Sequence, residues 1–434
     1  MFSGCQAPAP EDVDAVSADL PFPSDPVLWP RIREERIRTL LGPAMERGGL
    51  DAWIVMAREN ANDPLAAHIG AENAGGLAAF LFFRGADGRV ESLALSPVTE
   101  STALAEVTPL DSVRALDRGA DVFAAVAAEI AARDPARIGV NSGPRNVADG
   151  LSWTQRTALE GALGPELSSR LVPSADMVVE WLSVKLPEEV EIMRRAAILT
   201  EELELEAYAT VVPGETTDAD VARFLKRRMA ELGVTDGWAP DQNPNVNSGP
   251  DRGHSHSTEK TIEPGDVIQT DFGIKVHDRW VTDIQRFAYV LRPGETEPPA
   301  EIQRRWEEAK AGGRAAFDAM RPGATGWDVD RAQRSRLEQN GSIPIIWSTG
   351  HPVGYWAHDL GPRLGGSANG DPARGDSSRP LRVGHTFAFD GFFGWTREDG
   401  TTKTISVEEM AVVTTEGAEY LIPPQEELVL IPSR

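Results

Sequence analysis

The C-terminal half of this sequence sets four carboxylates and one imidazole inside apolar or glycine-bounded, strand-like text. The segments are GDVIQTDFG around Asp271, WVTDIQRFAYV around Asp283, STGHPVG around His351, GHTFAFDGFF around Asp390 and ISVEEMAVV around Glu408. Text of this kind ends up inside a fold, where a lone ionised carboxylate is costly and drifts towards its neutral form. Several acids converging there repel one another unless cations intervene. A donor set of carboxylate oxygens and one imidazole suits Mn(II), Co(II), Fe(II) or Zn(II), and two ions sharing bridging carboxylates fit four acids better than one. Taken singly, Asp271 and Asp283 read equally well as turn formers at strand ends.

The rest of the chain bounds the setting. At 434 residues it exceeds one ordinary core and implies two to three domains. A formal charge of −24, from 67 acids against 43 bases, opposes a nucleic-acid surface. No apolar run reaches the length that crosses a bilayer, and LAAFLFF suits a buried strand. The single cysteine, Cys5, leaves no internal disulfide and no cysteine cluster for zinc. Phe2-Ser3-Gly4-Cys5 resembles the cleavage end of a bacterial lipoprotein signal without its charged and apolar parts. Localisation is therefore open between a cytoplasmic protein and a lipid-anchored, periplasmic one.

Residues 1–26, rich in proline and acids, read as a flexible tail. From Trp29 an amphipathic helix (RIREERIRTLLGPAMERGG) leads into the strands DAWIVMA, GGLAAFLFFRG and VESLALS, then the helix DVFAAVAAEIAARDP and the strand RIGVNSG. That pattern predicts an α/β domain over 27–175. A hinge is expected over 176–187, with Pro187 in the first turn of a long helix. The second domain, 188–434, alternates amphipathic helices with the acid-bearing strands. Its expected class is α+β, a curved antiparallel sheet flanked by helices, with a concave face open to metal and substrate. No repeat of solenoid length is present.

On these motifs, in this order, residues 188–434 resemble the pita-bread metallopeptidases, the family of methionine aminopeptidase, aminopeptidase P, prolidase and creatinase. Residues 27–175 resemble the creatinase-type N-terminal domain of the aminopeptidase P and prolidase branch. The resemblance implies a metal-dependent exopeptidase with two divalent ions, Mn(II) foremost, releasing the N-terminal residue of a peptide or dipeptide, Xaa-Pro substrates included. By the same resemblance Asp271 binds one ion alone, Asp283 and Glu408 bridge, and His351 and Asp390 hold the other, Asp390 also moving the proton. His254 in GHSHST and His358 in GYWAHDLGP match histidines that steady the scissile carbonyl and the tetrahedral intermediate. Trp356 is a further candidate substrate contact, and a homodimer is expected.

The sequence also departs from the family pattern. Asp390 stands where the family has glutamate, one methylene longer, and Gly391-Phe392 replaces its Pro-Gly. Ser406 replaces an arginine usual in aminopeptidase P and prolidase, which bears on proline preference. The hairpin between Asp271 and Asp283 is longer, with His277, Asp278 and Arg279 at its tip. Trp280, Trp347, Trp356 and Trp395 either line an aromatic cleft or pack in the core. His256 and His277 have no expected catalytic role, and His68 and His385 read as structural or exposed. Two other functions compete: a metal-independent, creatinase-like hydrolase of small C–N substrates, and a non-catalytic peptide-binding protein. Retention of Asp271, Asp283, His351 and Glu408 opposes the first, and Asp390 favours the second.

Overall fold

The computed structural model describes residues 20–253, 255–366 and 375–433. Cys5, most of the proline-rich tail and His254 lie outside the described residues. The chain divides into two compact units, Asp25–Val184 and Lys185–Arg434, with the residues up to Ser24 grouped with the latter. The described end of the tail departs from a flexible reading. Phe22 is buried, meets His277 edge-on at 5.6 Å and lies under the Arg195 guanidinium, because an aromatic ring gains by leaving water even at the end of a polar segment.

In the first unit the expected helix runs through Leu28–Arg36 and Gly42–Arg47, joined by a wider π turn at Ile37–Leu41. The predicted strands are Ala52–Ala57, Ala78–Arg84, Val90–Pro97 and Ile138–Val140. Together with Ser112–Leu116 and Leu171–Pro173 they make a six-stranded mixed sheet. Helices Val122–Arg133 and Trp153–Ser168 bury Val126, Ile130, Leu159 and Leu163 in a core shared with Ile54 and Leu81. The stretch read as a hinge is mostly the helix Ala175–Leu182, with Met177, Val178, Trp181 and Leu182 buried. Its apolar density makes packing stronger than hinge flexibility, and the passage between units falls at Val184 and Lys185.

The second unit is α+β. Pro187 occupies the first turn of helix Pro187–Ala209, and the Glu189 carboxylate accepts from the Leu186 N–H at 2.9 Å, closing its N-terminus. Helices Asp218–Glu231 and Gly326–Asn340 each start on a threonine whose hydroxyl accepts from the N–H three residues on, Thr217 to Asp220 and Thr325 to Asp328. The main sheet has eight strands. Its order is Gly350–Pro352, Thr386–Thr396, Thr402–Val413, Ile284–Val290, Val267–Phe272 and Asn245–Ser248, with Ala418–Tyr420 and Val429–Ile431 added at its sides. All pairings are antiparallel except that of Val429–Ile431 with Ile284–Val290.

Helix Ala300–Ala319 packs against this sheet through glycines. Gly312 faces the Phe392 backbone and Gly313 faces Gly391, so the helix backbone approaches closer than side chains would allow. The long hairpin keeps its pairing, Lys275 with Val281 and Val276 with Trp280, while His277 and Asp278 take positive φ at the tip. Among the described residues no helix is long and apolar enough to cross a membrane.

Candidate metal centre

Sheet register aligns the acids. Asn245 pairs with Asp271, Asp271 with Gln285, Gln285 with Glu408 and Glu408 with Asp390, so five strands contribute to one row. Residues directly opposite across a sheet project from the same face. Asp283 enters just before strand Ile284–Val290, and His351 sits on the edge strand opposite Ala388. The turn into Asp283 is held by Thr282, whose hydroxyl accepts from the Ile274 N–H at 2.9 Å and lies 2.7 Å from the Thr200 hydroxyl.

Donor atoms of Asp283, His351 and Glu408 all lie within 4.8 Å of one another. His351 Nε2 is 3.6 Å from Asp283 Oδ2 and 3.8 Å from Glu408 Oε1. These separations exceed a hydrogen bond and leave room for a cation between the atoms. His351 Nδ1 lies 3.2 Å from the Pro352 carbonyl oxygen, a partner that places the N–H on Nδ1 and turns the Nε2 lone pair to the acids. Burial, with His358 adding to it, holds the His351 imidazole down to about 3, so the ring is neutral and able to ligate.

The acids carry the opposite strain. Burial first, then the charges of Glu408, Asp271 and Asp390, pushes the Asp283 carboxyl well above the carboxylate range. Burial, then Glu408 and Asp271, does the same to Asp390. Burial, then Asp271, pushes Glu408 up to about 8, against a hydrogen bond from Gln285. Buried carboxyls that resist ionising together, beside a neutral imidazole, are a donor set that a divalent cation satisfies.

Asp271 and Asp390 share the row but stand outside the three-residue donor group. The half-buried Asp390 is held by its backbone. Its N–H donates to the Thr349 carbonyl at 2.8 Å and its carbonyl accepts from the Gln333 amide. One residue beyond the row, Arg286 and Glu409 pair at 3.0 Å, with Glu201 on the other side of the guanidinium at 2.9 Å. Alternation along the strands sends these two side chains to the opposite face.

His358 is exposed, with its ring 4.2 Å from that of His351. The loop bearing His358 and the exposed Trp356 is anchored by Asp359, which accepts from Lys185 at 3.0 Å and from the Tyr355 N–H at 2.9 Å. Both charges of that pair are buried. Gly253, next to the undescribed His254, is tethered by its carbonyl to the Asn245 amide at 3.0 Å. The tryptophans separate into two groups. Trp280 is fully buried and donates to Glu189, and Trp395 packs under Arg305 at 4.3 Å, so these two serve packing. Trp347 and Trp356 are exposed. His68 and His385 are buried.

Sequence reasoning missed Gln285, Asn245 and Gln269. Period-two spacing was the available signal, since Gln269 precedes Asp271 by two positions, Gln285 follows Asp283 by two, and Ser406 precedes Glu408 by two. Asn245 had no such marker.

Residues 191–415 match the model of Metallopeptidase family M24. The chain belongs to that family. Among sequence relatives, the probable dipeptidase PepE of Mycobacterium bovis is 28% identical over 219 residues, which cover 49% of this chain and 54% of that protein. The match thus spans about half the length of this relative. Among solved structures, dipeptidase PepE from Mycobacterium ulcerans superposes with a TM-score of 0.66 at 22% identity, covering 93% of this chain and 99% of that one. An Xaa-Pro dipeptidase from Bacillus anthracis gives a TM-score of 0.65 at 19% identity, covering 93% and 100%. These likenesses establish the pita-bread fold of this M24 member.

Proposed function

We propose that this M24 protein is a metal-dependent exopeptidase that hydrolyses the N-terminal peptide bond of short peptides, dipeptides included. The observation that carries the reading is the convergence of Asp283, His351 and Glu408 within 4.8 Å, inside the part of the chain that matches the family. The printed names of the relatives, dipeptidase and Xaa-Pro dipeptidase, support the substrate class.

Asp271, Asp283, His351, Asp390 and Glu408 would hold two divalent ions, Mn(II) before Co(II), Zn(II) or Fe(II). When bound, such ions supply Lewis acidity, a nucleophile near neutral pH and a polarised scissile carbonyl. The protein's own groups do the rest. Asp390 accepts and returns the proton, His358 and His254 donate to the carbonyl oxygen, and the peptide amino terminus is drawn to the acidic row. Trp356 and Trp347 offer exposed aromatic surface to a substrate side chain. We also propose a homodimer, and a first domain that runs on to Val184 in place of the expected limit at 175.

Metal analysis of the purified protein after incubation with Mn(II), with a panel of Xaa-Pro and non-proline dipeptides, tests the reading. Two ions per chain and cleavage, both lost in His351→Ala, are expected. Metal uptake with no cleavage would instead favour a peptide-binding role, the reading that Asp390's place outside the donor group supports.

A further inference from the structure

Gln285 is the one uncharged side chain in the row between Asp271 and Asp390, flanked by Asp271 on one side and Glu408 on the other. Its Nε2 donates to Glu408 Oε2 at 2.8 Å and lies 3.4 Å from Asp390 Oδ1. The two amide hydrogens are thus directed at two different acids. Its Oε1 accepts from the Ser406 hydroxyl and from Gln269 Nε2, both at 2.7 Å. Gln269 Nε2 also reaches Ser406 Oγ at 3.1 Å, closing a three-membered polar cluster.

This cluster determines which way the carboxamide faces. Flipping it would set Nε2 against the donor of Gln269 and Oε1 against the Glu408 carboxylate. The donors on Gln269 and Ser406 therefore set Oε1 towards themselves and Nε2 towards the acids. The backbone reinforces it, because Arg286 donates from one guanidinium nitrogen to the carbonyls of Gln285 and Glu408, both at 3.2 Å. Side chain and backbone thereby clamp the two strands at the point where their pairing centres on Gln285 and Glu408.

We propose that Gln285 is a positioning residue for the metal centre: it holds the Glu408 and Asp390 carboxylates at fixed rotamers ready for a divalent ion, with Ser406 and Gln269 setting its orientation. The proposal rests on the metal-dependent reading above. A neutral double donor steadies two acids while leaving their charge for the cation, whereas a guanidinium or ammonium in its place would compete with the ion. Preorganisation of this kind lowers the ordering cost of binding, and loss of such an outer partner typically weakens metal affinity by ~10–100-fold.

The test is Mn(II) titration by calorimetry of the full chain and of Gln285→Met, which keeps the length and loses both donors. Ser406→Ala removes one of the bonds that orient the amide. The expected result is a Mn(II) dissociation constant raised ~10-fold or more in Gln285→Met and a few-fold in Ser406→Ala. The metal-free variants should stay folded at the titration temperature, with circular dichroism like that of the wild type, so that lost affinity reports the positions of the carboxylates and not loss of the fold. Wild-type affinity in a folded Gln285→Met overturns the proposal and leaves the metalloenzyme reading intact. Wild-type protein that takes up no Mn(II) overturns both. If Gln285→Met fails to fold, Ser406→Ala decides: unchanged affinity there overturns the proposal.

Discussion

Asp390 lies on the sheet row with Glu408, yet among the described residues it is the donor atoms of Asp283, His351 and Glu408 that form the tight group. Aspartate reaches one carbon–carbon bond less than glutamate, and its backbone is tied to Thr349 and Gln333, so the strand cannot advance to compensate. Metal–ligand distances tolerate only about 0.2 Å. Asp390→Glu should therefore tighten Mn(II) binding by ~10-fold, about 1.4 kcal/mol, measured by calorimetry. An unchanged or weaker affinity would show that Asp390 already ligates at its proper length. The neighbouring acids and His351 could be named from their apolar frames, because burying such groups without a function is expensive. Gln285 could not, since a glutamine inside a strand carries no comparable penalty once its amide is paired.

At the scale of elements, helix Ala300–Ala319 and strand Thr386–Thr396 meet through backbone. A Cβ placed on Gly391 would lie 2.2 Å from the Ala309 carbonyl oxygen and 2.9 Å from the Gly313 nitrogen. Neither atom belongs to a flexible side chain, so the helix or the strand must move. Gly391→Ala is expected to cost about 1–3 kcal/mol and, by shifting the strand next to Asp390, to weaken Mn(II) binding as well. Chemical denaturation and calorimetry read the two effects, and a variant with wild-type stability would refute the close approach. The helices themselves were readable because their caps are local, such as Thr217 with Asp220 and Thr325 with Asp328. Phe22 at the described end of the tail and the helix within the stretch expected as a hinge were not readable for the converse reason. Phe22 and helix Ala175–Leu182 owe their order to burial, which local composition does not report.

For the whole molecule the acidic row links metal, pH and stability. Asp283, Asp390 and Glu408 titrate higher in the folded chain than in the unfolded one, Glu408 up to about 8. Their contribution to stability is therefore fully present below the unfolded carboxylate range and is lost as pH rises through the folded values. A bound divalent ion requires the ionised carboxylates and removes that loss. The melting temperature of chelator-treated protein should fall between about pH 5 and 8, and its gap to Mn(II)-loaded protein should widen over the same interval. Differential scanning fluorimetry across pH measures this directly. A gap that stays constant would mean that the acids do not share an ion.

The sequence alone determined the fold class and most element types and singled out Asp271, Asp283, His351, Asp390 and Glu408 as candidate donors, because hydrophobic period and the cost of burying charge act over a few residues. Which of those donors meet was decided by tertiary structure. Strand register brings Glu408 beside Gln285 and Asp390, the edge strand brings His351 to Asp283, and the glycine contact seats the strand of Asp390 against helix Ala300–Ala319. Register and helix–strand approach depend on partners far apart in the chain, such as Gln285 with Glu408 and Gly313 with Gly391, and a linear pattern holds no term for them.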